Sequence, residues 1–206
     1  MNEKLTALAE KMKKRGFRAR VFSSGEDALD ALVEALSDAK TVGQGGSMTC
    51  DNLGVGRRLI EEGKTFHYHG NQPDPQSANE QREAALMCDA YILSANAVTS
   101  DGALYNIDGH GNRVANSIYH HPKGVFFLIG RNKIVDGGHE ETMERMKSIA
   151  CVLNNKRLKR QNPCVKSGVC SDCTSPNRIC NVTVIIEYPA SSVDTYVYLI
   201  DEDLGY

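Results

Sequence analysis

Short apolar runs with strand periodicity alternate with segments of helical periodicity along nearly the whole chain, and this alternation restricts the fold more than any other feature. Residues 2–15 carry Leu5, Leu8, Ala9 and Met12 at helical spacing, and Gly16 ends the pattern. Phe17, Ala19 and Val21 then alternate with Arg18 and Arg20, the period of a half-buried strand. Ser24, with Asp27 three residues on, marks the start of a helix over residues 26–37 whose apolar face is Ala28, Leu29, Leu32, Val33 and Leu36. A short strand at 40–42, a helix at 48–62 stopped by Gly63, and a strand at 65–69 continue the series. Ser77 and Glu80 form a capping-box pattern for a helix reaching about Cys88. Further strands are expected at 90–94, 103–107 and 124–129, and helices at 112–119 and 139–153, the latter with Met143, Met146, Ile149 and Ala150 inward. Strands at 182–187 and 195–200 complete the pattern. Such alternation predicts an α/β domain: an open, mostly parallel sheet flanked by helices and joined by right-handed crossovers.

A length of 206 residues suits one large domain. The balance of 24 Lys+Arg against 26 Asp+Glu argues against a whole-protein clamp on nucleic acid. The apolar run at 125–129 falls far short of the roughly 18 residues that cross a membrane. The first 16 residues mix charges with Leu5, Leu8 and Met12, unlike a signal peptide or anchor, so a soluble cytoplasmic protein is expected. An internal boundary is expected near Asn155, dividing an α/β core at 1–155 from a basic extension at 156–206 whose last strands return to the core.

The extension holds the unusual chemistry. Seven cysteines cannot all pair internally, and four of them, Cys164, Cys170, Cys173 and Cys180, fall within 17 residues. Thiolates so spaced suit zinc or an iron–sulfur cluster, both of which take four ligands. Residues 156–180 carry six cations against Asp172 alone, surroundings that lower thiol pKa and stabilise an anionic metal–thiolate centre. Disulfides or redox-switching thiols are the competing reading, and inert buried thiols a third. Cys50, Cys88 and Cys151 lie on helical stretches and are expected in the core. His67 and His69 share a strand face, His120 and His121 precede Pro122, and His110 and His139 stand elsewhere. None of these has metalloprotease spacing, and they are expected as polar loop residues.

Two segments of the core point to a ligand. Gly43-Gln44-Gly45-Gly46-Ser47-Met48-Thr49 joins a strand to a helix, where glycines allow close backbone approach and Ser47 and Thr49 add hydroxyls. The segment is neither a Walker A loop nor a Rossmann fingerprint, and a tight turn capped by Ser47 explains it equally well. The second runs from Ser94 to Gly109, at the carboxyl end of a strand where open α/β sheets bind ligands. It offers Asn96, Asp101, Asn106 and Asp108, with Asn112 and Arg113 following, and Arg113 is suited to hold a carboxylate or phosphate bidentately. Ordinary turn chemistry also accounts for its Asn, Asp and Gly. The candidate ligand is an anionic small molecule.

Residues 43–49 and 98–106, together with Gly130-Arg131-Asn132-Lys133-Ile134-Val135, resemble the LUD domain, the lactate-utilisation family. Asn162-Pro163-Cys164, Cys180-Asn181 and the final Leu204-Gly205-Tyr206 look like a cysteine-bearing branch of it, and the resemblance covers nearly the whole chain. It implies the fold of ribose-5-phosphate isomerase and coenzyme A transferases. Residues 42–49 are similar to the phosphate-binding turn of sugar-phosphate isomerases, and 96–106 to a segment of methylthioribose-phosphate isomerase. Two departures matter. The isomerase acid corresponds to Asn96 and the following lysine to Ile107, so aldose–ketose isomerisation by that mechanism is not expected. Asp101 and Asp108 remain as carboxylates without a role.

The resemblance implies organic-acid (lactate) utilisation in company with iron–sulfur redox partners, as a subunit or component of an L-lactate or other organic-acid oxidation system. Iron–sulfur, [4Fe–4S] in type, is therefore preferred over zinc for the four cysteines. A ligand-sensing or scaffold protein with a structural zinc site is the alternative. A nucleic-acid contact is disfavoured, because residues 156–180 lack interleaved aromatics.

Overall fold

In the computed structural model, which describes residues 2–206, the N-terminal periodicity becomes helix α1 (Glu3–Lys14), capped by the Asn2 side chain. Gly16 turns the chain at φ +96° into strand β1 (Arg18–Phe22). Ser24 caps α2 (Gly25–Ala35) by accepting the Asp27 N–H, as its position predicts. Strand β2 (Thr41–Gln44) extends two residues further than expected and takes in Gly43 and Gln44. The helix expected over 48–62 is two, α3 (Met48–Leu53) and α4 (Val55–Glu61), because Gly54 adopts a left-handed conformation between them.

Strand β3 (Thr65–Tyr68) precedes α5 (Pro75–Leu86), whose cap is Asp74 accepting the Ser77 N–H, with Pro75 in the first turn. The cap therefore lies three residues ahead of the Ser77/Glu80 pattern. After β4 (Ala90–Leu93), the polar segment that begins at Ser94 contains a strand not expected there, β5 (Ala97–Thr99), in a hairpin with β6 (Leu104–Asp108). Helix α6 (Asn112–Asn116), β7 (Val125–Gly130) and the two-residue β8 (Ile134–Val135) follow. Helix α7 (His139–Arg145) runs through a π-turn at Met146–Ala150 into α8 (Cys151–Arg157). That turn leaves Met146 and Ala150 buried but Ile149 43% exposed, contrary to the inward position expected from 3.6-residue spacing. Helix α9 (Pro163–Ser167), β9 (Val182–Ile186) and β10 (Thr195–Ile200) complete the chain.

Six strands form one all-parallel sheet in the order β1-β10-β7-β4-β2-β3. Every residue of β4 and β7 is buried, as central strands covered on both faces require. One face packs Leu5, Leu8 and Met12 of α1 against Leu93, Phe127 and Val197. The other packs Ala28 and Leu32 of α2, with Cys50 and Leu59, against Ile92, Phe126 and Tyr198. A second sheet, β8-β5-β6-β9, rises beyond the end of β4 and covers a smaller core of Ala97, Tyr105, Ile107, Met146 and Cys151. Residues beyond 155 are woven into this architecture: β9 pairs with β6, and β10 lies between β1 and β7. Among the described residues no helix is long and apolar enough to cross a membrane.

Candidate functional site

Chain order reverses between β2 and β4: β2 leads outward to β3, whereas β4 is followed by β7 on its other side. Carboxyl ends of strands diverge at such a switch point and leave a crevice. A cavity of about 510 Å³ lies there. Gly46 and Ser47 after β2, Tyr68 and His69 at the end of β3, and Ser94 to Asn96 after β4 line it. The end of β6 and start of α6 contribute Asp108, Asn112 and Arg113, α8 contributes Asn154 and Arg157, and Lys133 follows β7. Residues 176–179 and Asn181, from the cysteine-bearing segment, form a further wall.

The glycine turn reaches the cavity only in part. Ser47 accepts the Cys50 N–H and caps α3, while Gly46 borders the cavity. Gly45 serves the protein interior: a Cβ there would lie 2.7 Å from Arg113 Cγ. Gly43 is held by Tyr91 in the same way, with its Cδ2 2.8 Å from such a Cβ. Thr49 is buried behind the cavity and donates to the Leu204 carbonyl at 3.0 Å.

Arg113 is buried, yet it is no open fork. Its Nη1 donates to the Ser94 carbonyl at 3.0 Å and to Asn106 Oδ1 at 2.6 Å, and its Nη2 to Asn96 Oδ1 at 2.9 Å and the Ile107 carbonyl at 2.7 Å. Four of five donors are thus committed to the protein, so Arg113 supplies charge and rigidity to the cavity floor instead of a bidentate clamp. Asn106 is fully buried beneath it, with its Nδ2 unpartnered. Asp108 stands 4.0 Å from Arg113 Nε, but its oxygens accept the backbone N–H groups of His110, Gly111, Arg113 and Val114. Its carboxylate holds the start of α6. Asp101 lies away from the cavity, bonded to Thr99 and paired with Arg15 across the hairpin turn.

Lys133 is a cavity residue that sequence reasoning missed, as are Arg82 and Arg157. It is 3% exposed, and Nζ donates to Thr49 Oγ1 at 2.7 Å and Ser94 Oγ at 3.0 Å. Burial, with Arg145 and Arg113 nearby and the Cys50 thiol acting against them, brings the amine down to about 7. A polar turn directly after the wholly apolar β7 was the available signal, since that marks the carboxyl end of a central strand. Burial likewise lowers His69 to about 4, so this imidazole is neutral at physiological pH. The basic side chains around the cavity are Arg82, Arg113, Lys133, Arg157, Arg160 and Arg178; among the described residues Asp108 is the one carboxylate lining it, and Asp172 pairs with Arg178 from outside.

The cysteine segment packs directly on this site. Asn181 donates through its backbone N–H to the Asp108 carbonyl and through Nδ2 to the Gly109 carbonyl, both at 3.0 Å. A Cβ on Gly109 would come within 3.1 Å of Ile179 Cα. Arg178 donates to the carbonyls of Cys173 at 2.7 Å and Cys180 at 3.0 Å and pairs with Asp172. Cys164 is buried and Cys170, Cys173 and Cys180 are half-buried. Cys151, expected only as a core residue, shares their neighbourhood: burial and the nearby Cys180, Cys170 and Cys164 thiols push it up to about 12. The donor chemistry fits zinc or an iron–sulfur cluster, but the thiols are not drawn together. Among the described residues no three His, Cys, Asp or Glu side chains stand close enough to hold a metal ion. Buried Cys50 and Cys88 rise to about 12 and about 11 and are core residues, as expected. The remaining histidines are dispersed: His67 meets Gln81, His121 is buried against the Cys88 carbonyl, His139 meets the Tyr105 hydroxyl, and His110 borders the cavity.

No curated protein matches this sequence. Among solved structures, a DUF162 family protein from Deinococcus radiodurans superposes with a TM-score of 0.55 at 15% identity, over 98% of this chain and 97% of that one. The sequence profile of the LUD domain matches residues 5–200, and the chain accordingly belongs to the LUD domain family.

Proposed function

We propose that this LUD-domain protein binds a small organic anion, a carboxylate or phosphate, in the cavity at the ends of β2 and β4, and serves organic-acid utilisation, with lactate as the context the family name suggests. The observation that carries this reading is the charge around the cavity. Five guanidinium groups and the Lys133 amine line it against a single lining carboxylate, Asp108, whose oxygens are committed to backbone N–H groups. Clustered positive charge lining a cleft focuses its field there and favours an anionic guest. The seven free thiols suit the cytoplasm, the compartment proposed here.

Calorimetric titration of the full chain with L-lactate, pyruvate, inorganic phosphate and ribose 5-phosphate tests the proposal. At least one anion is expected to bind, with affinity falling as salt rises and falling further in an Arg157→Ala variant. Absence of binding by every anion at millimolar concentration would overturn it.

We propose in addition that Cys164, Cys170, Cys173 and Cys180 close on a metal centre, [4Fe–4S] before zinc. Four thiols on one short segment, in basic surroundings, support this reading, and binding would require that segment to draw inward. An iron–sulfur centre would supply one-electron transfer to or from a redox partner. Iron, sulfide and zinc analysis after anaerobic purification decides it. Stoichiometric zinc without iron or sulfide rejects the redox version, and absence of all three rejects the centre.

A further inference from the structure

Lys133 Nζ meets two hydroxyl oxygens, and the protons of both are already placed. Thr49 Oγ1 donates to the Leu204 carbonyl at 3.0 Å and Ser94 Oγ to the Ala95 carbonyl at 3.3 Å. Both oxygens therefore face the amine as acceptors, at 2.7 and 3.0 Å, and engage two of its N–H bonds. The remaining position on nitrogen has no partner. For an ammonium this would be a buried, unpaired donor, which is costly; for a neutral amine it is a free lone pair. The groups facing it are the Cys50 thiol and the guanidinium groups of Arg113 and Arg145, and no carboxylate is among them. Lys133 and Ser94 both border the cavity. A desolvated lysine beside other cations is the arrangement in which an amine acts as a nucleophile near neutral pH.

We propose that Lys133 is a carbonyl-reactive amine that forms an imine with a small aldehyde or ketone bearing a carboxylate or phosphate. The anionic group of this substrate class rests on the anion-binding reading above. The Nζ lone pair attacks the carbonyl carbon, forming the C–N bond while the carbonyl π pair moves to oxygen, which takes up a proton. The resulting carbinolamine loses water as its C–O bond breaks and C=N forms. Two amine protons and the carbonyl oxygen leave as that water, and nothing is oxidised or reduced. Arg113 and Arg145 disfavour a positive charge on the adduct, so a carbonyl compound that brings its own negative charge is preferred over a neutral one.

The full chain is incubated with glyoxylate, pyruvate or glyceraldehyde 3-phosphate, and in parallel with neutral propanal, in the presence of cyanoborohydride. Peptide mass spectrometry then locates the reduced adduct. The expected result is one dominant adduct at Lys133, formed at least ~10-fold faster with an anionic carbonyl than with propanal. Its rate should reach a plateau above about pH 7 instead of rising toward the 10.5 of an ordinary lysine. Lys133→Met should lose the adduct, and because site mapping on the unaltered chain is decisive alone, the inference does not depend on that variant folding. Adducts spread over exposed lysines with Lys133 unmodified overturn the imine. If calorimetry nonetheless shows anion binding, the anion reading stands without it. Equal labelling of Lys133 by propanal overturns the anionic substrate class while leaving the reactive amine.

Discussion

Replacing Lys133 with methionine, which keeps an unbranched side chain one atom shorter and removes the amine, should flatten part of the stability–pH profile. The amine titrates near 10.5 in an unfolded chain and at about 7 when buried. Between these values the unfolded chain holds a proton that the folded one lacks, so stability rises with pH across the window and is lost as pH falls toward 7. Over the whole window this amounts to about 5 kcal/mol. The buried thiols act oppositely at its upper end. Cys50 and Cys88 are raised from 9.0 to about 12 and about 11, so unfolded thiols ionise above pH 9 while folded ones do not, and stability declines there.

The clean interval therefore runs from about pH 7 to about pH 8.5, where the unaltered protein should gain between about 1 and 2 kcal/mol relative to Lys133→Met. Urea unfolding followed by far-ultraviolet circular dichroism at each pH measures the difference. The variant also loses two hydrogen bonds, each worth about 1 kcal/mol, but that offset is common to all pH values and leaves the slope diagnostic. Parallel profiles for the two proteins would refute the depressed amine.

Two further outcomes follow from particular contacts. Gly109→Val places a side chain against the backbone of Ile179, where even a Cβ comes within 3.1 Å, and should weaken anion binding about tenfold by calorimetry while lowering stability by about 1–3 kcal/mol. Thr49→Val removes the hydroxyl shared by the Leu204 carbonyl and Lys133 in a fully buried position, and should destabilise the protein by about 1–3 kcal/mol in urea titration.

Elements whose signals are local were legible in the sequence. Leu5, Leu8 and Met12 specify α1, Ser24 and Asp27 the start of α2, and the apolar run at 125–129 the central β7. The glycine turn and the segment after β4 were located because both sit at carboxyl ends of strands. Features decided by distant partners were not legible. β5 is only three residues long between the small polar residues Asn96 and Ser100-Asp101-Gly102, which resemble a turn, and it becomes a strand only through pairing with β6 and β8. Asp74 and Pro75 read as loop because Gly70 and Pro73 stand just ahead of them, although together they form a helix start. Arg113 looks like a ligand clamp until Ser94, Asn96 and Asn106 arrive from other segments to take its donors. Lys133 is an ordinary lysine by position, and its character comes from Thr49 and Ser94, 84 and 39 residues away. No short-range pattern encodes a desolvation of that kind.

The place of β10 has a consequence for the order of assembly. It is the last strand in the chain, yet it sits between β1 and β7 and is the only sheet partner of β1 among the described residues. During synthesis, α1 and β1 emerge first but have no sheet to join until residues 195–200 leave the ribosome. A four-stranded β7-β4-β2-β3 unit can gather earlier, whereas the first strand must wait for a loop closure of roughly 180 residues, the kind of long-range step that slows folding. The cysteine segment lies within the stretch made between β7 and β10, so metal delivered during translation would meet its thiols before the sheet is complete. Premature release of the chain just ahead of β10 would leave the parallel sheet open at β7, exposing the edge of its most apolar strand to aggregation.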